Sequence, residues 1–391
     1  MNRKRVLISG AGIAGLTFAI QAKQHGFEPL VIERAPAPRT EGYMMDFFGT
    51  GWDVAERMGL TERLTAIKYP IDGVAFVDKA GKPFAGAPIA RLRDALGGHY
   101  VYLRRSDLEQ VLAERADELG VEIRFATSLH RLDSLDHHVH AVFDNGRVDD
   151  FDLVVGADGV HSCVRQLVFG PEQRFTSFLG LYVAAFHLAH GAERLDRTCK
   201  LFEETGRMGF FYPLDDDRMD ATYVFRHDEE EVLPSQRLAF VKSQYRGGGW
   251  IAEDVLQEYE ASEPIYFDPA TMVSMPQWHH GRVALIGDAC GCLTLLAGQG
   301  SHMAMAGAYV LAEELARHND HHDAFAAYQK RINPHVDRKQ KDAASFAGVF
   351  VPTPRSRLWL RRLVFKLIFS PIGFPLMMRW FGARSVLPQA H

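Results

Sequence analysis

Apolar positions cluster into short dense runs at the start of the chain and spread to helical spacing further on. Arg5-Val6-Leu7-Ile8-Ser9 reads as a buried strand, residues 16–23 as a helix, and Pro29-Leu30-Val31-Ile32-Glu33-Arg34 as a second strand. Residues 40–49 lack a helical period and are punctuated by glycine, which predicts a loop beside a ligand. Residues 51–64 read as a helix with Val54, Met58 and Leu64 on its apolar face. Residues 74–76 and 83–85 form a hairpin around Lys79-Ala80-Gly81-Lys82. A helix capped by Ser106 turns Leu108, Val111, Leu112 and Leu119 to a core. Strands follow at 121–125 and 138–143, with Asn145-Gly146 as a turn, and 151–159 is a buried parallel strand ending in polar residues.

Between about 173 and 274 the character changes. Residues 180–188, 207–214 and 220–227 read as strands rich in aromatics, and 234–245 as a helix. The opening pattern resumes at 282–289, a buried strand ending in an acid, followed by helices at 300–318 and 324–346. These elements divide the chain into a discontinuous α/β domain (1–72, 98–172 and 275–345), an inserted, mostly antiparallel sheet domain (73–97 and 173–274) and a helical tail (346–391).

The first turn supplies candidate chemistry. Gly10, Gly12 and Gly15 stand at G-x-G-x-x-G spacing between the first strand and the first helix, with Glu33 close to the distance expected of an acid that binds a ribose hydroxyl. Strand, glycines, helix and acid together predict dinucleotide binding, with phosphates on the helix N-terminus.

Composition narrows the alternatives. At 391 residues about two domains are expected, and a net charge of −5 argues against a general nucleic-acid binder. Four scattered cysteines make no disulfide framework and no zinc pattern, which fits a reducing cytoplasm. The N-terminus imitates a secretory signal, but motif glycines interrupt its apolar segment, so no cleavage is expected. No run of about 18 apolar residues predicts a transmembrane helix. His279-His280, His318 and His321-His322 sit at element boundaries without ligand spacing and read as solvated loops. From Arg355 onward the tail has no acid. Arg357, Arg361 and Lys366 are read as one basic stripe on an otherwise apolar helix, which can lie on an anionic membrane surface or, more commonly, pack on the body or in a dimer.

Three segments combine: Gly10-x-Gly12-x-x-Gly15 with Glu33-Arg34; Gly156-Ala157-Asp158-Gly159 through Ser162 to Arg165; and Gly287-Asp288-Ala289 followed by Gly298-Gln299-Gly300. With Arg105, their order and spacing resemble the single-component flavoprotein monooxygenases of the para-hydroxybenzoate hydroxylase family up to about residue 345. The 42–48 loop looks most like the tetracycline-inactivating branch. The resemblance implies a Rossmann-like FAD-binding domain with an inserted substrate domain, FAD as cofactor and NADPH or NADH as transient cosubstrate. Oxygen would be transferred to a hydrophobic, aromatic or polycyclic molecule through a flavin C4a-hydroperoxide, with no catalytic side chain and no metal. It implies that Gly10, Gly12, Ile13, Ala14, Gly15 and Arg105 serve the pyrophosphate and Glu33, with Arg34, the adenosine ribose. Asp288 would serve the ribityl chain, and Gly298 to Gly300 the flavin's pyrimidine edge. Asp158 and Gly159 would serve both FAD and NAD(P)H, and Asp46 joins the cofactor-binding residues. By strand alternation the substrate pocket takes Met44, Phe48, Phe210, Tyr212, Tyr223 and Phe225, with Arg226 as the cation nearest that face.

Two positions depart from the family pattern. Gly291 stands where the family usually has histidine and Leu295 where it has proline, within an apolar Leu293-Thr294-Leu295-Leu296 stretch. Leu295 favours, slightly, a flavin dehydrogenase or reductase of the same fold as the rival reading. A halogenase lacks its W-x-W-x-I-P signature here, and a non-catalytic carrier would not need the glycines and both acids. Monomer and homodimer both remain open.

Overall fold

The computed structural model describes residues 3–39, 42–214, 217–228, 232–259, 265–294, 298–380 and 385–387; for 344, 346–349, 355 and 378–380 only the backbone is described. Leu295 and Leu296 lie outside these residues.

Arg5–Ser9 lies in the middle of a six-stranded sheet, between Leu153–Gly156 on one side and Glu28–Ile32 on the other, all parallel. Val283–Leu285 and Glu122–Arg124 extend it in parallel, and His279–His280 adds an antiparallel edge. Strand order therefore reverses beside the first strand, the place where open α/β sheets bind ligands. The helix Ile13–Gln24 is buried along almost its whole length between the helices Gly300–Arg317 and Arg105–Glu118, which is why it is apolar on every side.

The second large sheet has seven strands in the order Tyr266–Val273, Thr176–Leu188, Met219–Arg226, Arg207–Pro213, Thr198–Glu204, Gly73–Val77 and Pro83–Pro88. All its pairings are antiparallel except that of Thr198–Glu204 with Gly73–Val77. One face carries the helices Arg237–Gln244 and Ala252–Glu258 over a core that includes Tyr182, Phe186, Phe211 and Tyr245. A two-stranded ribbon, Met44–Phe48 paired with Tyr100–Arg104, meets the other face.

Several expectations shift. Residues 44–48 are a strand rather than loop, because Tyr100–Arg104 supplies an antiparallel partner; residues 40 and 41 lie outside the described residues. The single helix expected at 51–64 is two, Gly49–Arg57 and Thr61–Ala66, parted at Gly59, whose φ is +70°. Ser106 does not cap the next helix: it starts at Arg105, and its N-cap, Arg104, makes no side-chain cap bond. The strand expected over 282–289 stops at Leu285, and Asp288–Gly291 forms a helical turn. The long helix after it runs His321–Phe350, carrying Pro334 inside it.

Candidate active site

The register of the parallel sheet brings the three motifs together. Ser9 pairs with Ile32 and with Gly156, and Gly156 pairs with Leu285, so four strands end at one edge. The residues that follow, Gly10 to Gly15, Glu33, Ala157-Asp158 and Gly287-Asp288, line that edge. Gly10 has φ +110°, and a Cβ there would stand 2.4 Å from the Ala157 carbonyl oxygen; on Gly15 it would stand 1.9 Å from that of Gly10. Only glycine allows turn, helix and neighbouring strand to close this tightly.

Side chains then fix the turns. Glu33 accepts hydrogen bonds from the amides of Ala11 and Ala35, both 3.0 Å, tying the first turn to the second strand. Arg34 is exposed. Asp158 accepts from Ser9 Oγ at 3.3 Å, from the Val164 amide at 3.0 Å and from Ser162 Oγ, so its carboxylate is the internal brace of its loop. Ser162 caps the helix Cys163–Phe169 through the Arg165 amide at 3.0 Å. The guanidinium of Arg165, fully buried, donates to Ala289 O at 3.0 Å and pairs with Glu172 at 2.9 Å. It thereby locks the second motif onto the third.

The N-cap of the helix that starts at Ile13 is Gly12, which has no side chain to bond its amides, and Arg105 reaches over its N-terminus, 3.9 Å from where a Gly12 Cβ would be. Arg105 holds Glu109 at 2.8 Å, and Glu109 also accepts from the Ile13 amide. Burial alone would lower the Arg105 pKa, but Glu109, Tyr43, Tyr266 and Asp288 raise it, so it stays a fixed cation. Burial raises the pKa of Asp288, against the pull of Arg105. Across the cleft, Tyr43 meets Tyr266 edge-on at 5.3 Å, and Tyr266 Oη donates to Asp268 at 3.2 Å. A Cβ on Gly298 or Gly300 would meet nothing within 4 Å, so the start of the helix Gly300–Arg317 faces open space. A positive charge, a helix start with glycine at its N-cap and two open glycines are the donor set that a pyrophosphate and an electron-rich ring edge require, and the residues fit FAD.

The ribbon forms the adjoining wall. Asp46 accepts from Tyr100 Oη, and its main-chain carbonyl accepts from His302 Nε2 at 3.1 Å; burial raises the Asp46 pKa. Asp46 therefore sits with Tyr100, Tyr102 and Tyr212 rather than at the phosphate turn. Burial lowers the His302 pKa to about 4, leaving a neutral ring between Phe47 and Phe48. Met44, Phe48 and Tyr212 share this wall, and Tyr102 approaches Tyr212 at 6.0 Å. Phe210 lies on the same sheet face one step further, stacked on Phe350 at 6.2 Å.

Tyr223 and Phe225 are corrected. Phe210 pairs with Thr222 and Tyr212 with Asp220, so those four share a face, and Tyr223 and Phe225 point to the opposite one. There both are buried under the two helices, and Tyr223 donates to Ala252 O at 3.0 Å. Arg226 is on the ribbon's side but donates to Val351 O at 2.7 Å, anchoring the chain before the tail. The sequence reading missed Arg104, His187 and Asp220, a polar group on the wall with Asp220 buried: Arg104 meets His187, whose Nδ1 is 3.0 Å from Asp220. It also missed Glu109, which the i, i+4 spacing from Arg105 could have exposed. Asp320, His321 and His322 group closely, with Asp320 accepting from the His322 amide at the helix start.

Comparison with known proteins agrees with this geometry. Residues 3–339 match the family model of the FAD binding domain. A flavin-dependent monooxygenase of Legionella longbeachae is 30% identical over 354 residues, covering 86% of this chain and 87% of the relative. The crystal structure of the tetracycline destructase Tet(51) superposes with a TM-score of 0.81 at 26% identity, covering 100% of both chains. The fold is also that of HpxO from Klebsiella pneumoniae, solved with FAD, at a TM-score of 0.83 and 18% identity over 97% of this chain and 98% of that one.

Proposed function

Because the chain belongs to the family of flavoproteins built on this FAD binding domain, we propose that it uses NAD(P)H and O2 to hydroxylate a hydrophobic aromatic or polycyclic molecule. It is an FAD-dependent oxidoreductase with flavin-dependent monooxygenases as relatives. The observation that carries the finer reading is the alignment of four strand ends beside an aromatic wall.

When bound, FAD would supply the redox chemistry between the nicotinamide donor, O2 and the substrate. The protein's part is placement. Gly10, Gly12, Ile13, Ala14 and Gly15 would admit the pyrophosphate to the helix start in place of the Glu109 carboxylate, with Arg105 neutralising it. Glu33 would accept a ribose hydroxyl on the lone pairs its two amide bonds leave free, with Arg34 close by. Asp288 would accept from the ribityl hydroxyls, and Asp158 with Gly159 would shape the turn that the nicotinamide cosubstrate approaches. Gly298 and Gly300 would aim a positive helix end at the flavin's pyrimidine edge, favouring the reduced, negative ring. Met44, Phe48, Phe210 and Tyr212 would exclude water from the reacting oxygen, and Asp46, Tyr100 and His302 would hold a phenolic or enolic hydroxyl. The likeness to Tet(51) supports a polycyclic substrate of that kind. Four free thiols and no helix long and apolar enough to cross a membrane among the described residues suit the cytoplasm.

The test is a panel of tetracyclines and polycyclic phenols under 18O2 with NADPH or NADH. Substrate-stimulated NAD(P)H oxidation with one labelled oxygen in the product is expected. The rival reductase reading draws on the lost proline at Leu295, which lies outside the described residues. It predicts NAD(P)H oxidation with hydrogen peroxide or another reduced acceptor as the only product across the panel.

A further inference from the structure

The first tail helix packs with its polar side inward. Arg361 and Arg362 converge on Glu203, at 3.0 and 2.8 Å from their Nε atoms, and Glu203 is wholly buried. Phe365 rests on Phe76 at 4.6 Å. The expected single basic stripe is thus split: Arg361 is an internal anchor, while Arg357 and Lys366 remain exposed.

What faces solvent is apolar. Trp359, Leu360, Leu363, Val364 and Leu367 follow i, i+1, i+4, i+5, i+8 spacing and form one continuous face, with Trp359 67% and Leu367 62% exposed. Ile372 and Leu376 extend it at 87% and 60%. Seven of the twelve exposed large apolar side chains among the described residues fall between 359 and 376, whereas the other five are scattered singly, so this is a patch and not ordinary surface.

We infer that this face seats the protein on a bilayer containing anionic lipid. The sequence from 355 to 391 holds seven lysines and arginines and no acid. Of these, the exposed Arg357 and Lys366 border the apolar face, the arrangement that anionic headgroups complement. A second copy is a poorer occupant: a two-fold interface would set these cations near their own copies, with no acid in the segment to pair them. The helix Arg355–Ile368 has 14 residues and lies on the surface rather than spanning, which takes about 20.

The test is co-sedimentation of the FAD-loaded, full-length protein with vesicles of phosphatidylcholine alone and of phosphatidylcholine with one quarter phosphatidylglycerol. Binding should favour the anionic vesicles severalfold and weaken with salt. The Leu363→Glu, Leu367→Glu double variant should lose binding while keeping its flavin spectrum and melting temperature. Arg357→Glu and Lys366→Glu should each weaken it by about fivefold or more. No pelleting, or pelleting indifferent to both headgroup charge and the leucine changes, would overturn the proposal. So would a concentration-dependent dimer in sedimentation velocity that Leu363→Glu abolishes, without vesicle binding by the parent protein.

Discussion

At the scale of single residues, Glu109 and His302 carry the sharpest expectations. Glu109 occupies Arg105 and the Ile13 amide, the same donors that a pyrophosphate would take. Glu109→Gln removes that competing charge, so FAD should bind severalfold more tightly, read by quenching of flavin fluorescence; weaker binding would mean that the carboxylate instead orients Arg105. His302 resists protonation in the fold, with its pKa near 4 against an ordinary 6.5. The unfolded chain takes up that proton first, so this contribution to stability is complete above about pH 7 and is lost as pH falls from 6.5 toward 4. Urea unfolding should show His302→Gln losing about 2 kcal/mol less than the parent between pH 7 and 5. An equal loss would place the acid sensitivity elsewhere.

At the scale of elements, the sheet register makes two neighbours behave differently. Tyr212→Ala opens the wall beside the ribbon and should raise the substrate KM while the protein stays folded. Phe225→Ala, on the buried opposite face, should cost about 3 kcal/mol of stability and leave KM unchanged in the folded fraction. A KM effect from Phe225 would contradict the register. Arg165→Met cuts the bond between the second and third motif turns and should cost about 3 kcal/mol with loss of FAD retention, measured by thermal melting and the flavin-to-protein absorbance ratio. The turns themselves were legible in the sequence, because only glycine tolerates the approach at Gly10 and Gly15 and the spacing of such residues is visible. Thr198–Glu204 and Tyr266–Val273 were not, since one mixes charge with apolar residues and the other contains a proline. Arg207–Pro213 and Met219–Arg226 were both legible, but the register in which they pair was not. Hence Phe210 and Tyr212 were grouped with Tyr223 and Phe225, although each pair alternates correctly along its own strand. The setting of Asp46, which was read as a cofactor-binding residue, and His302 altogether were hidden for a related reason: their partners lie 54 residues and 256 residues away along the chain.

At the scale of the molecule, one chain joins a parallel sheet, whose edge carries the three motif turns, to a mostly antiparallel sheet. A ribbon of Met44–Phe48 and Tyr100–Arg104 fills the angle between them. The division into two sheets followed from the change from glycine-marked apolar runs to aromatic strands. The tail's orientation did not, because its inward arginines depend on a buried Glu203 that sits more than 150 residues earlier. On the proposed function, this edge holds a flavin that NAD(P)H reduces and oxygen reoxidises. The direct measurement is the visible spectrum of the purified protein, titrated anaerobically with NADPH and then NADH, and afterwards opened to air. The account predicts flavin bands that bleach with a nicotinamide donor, with or without an aromatic substrate, and return with oxygen. A colourless protein that cannot be reconstituted with FAD, or a bound flavin that neither donor reduces even with substrate present, would contradict it.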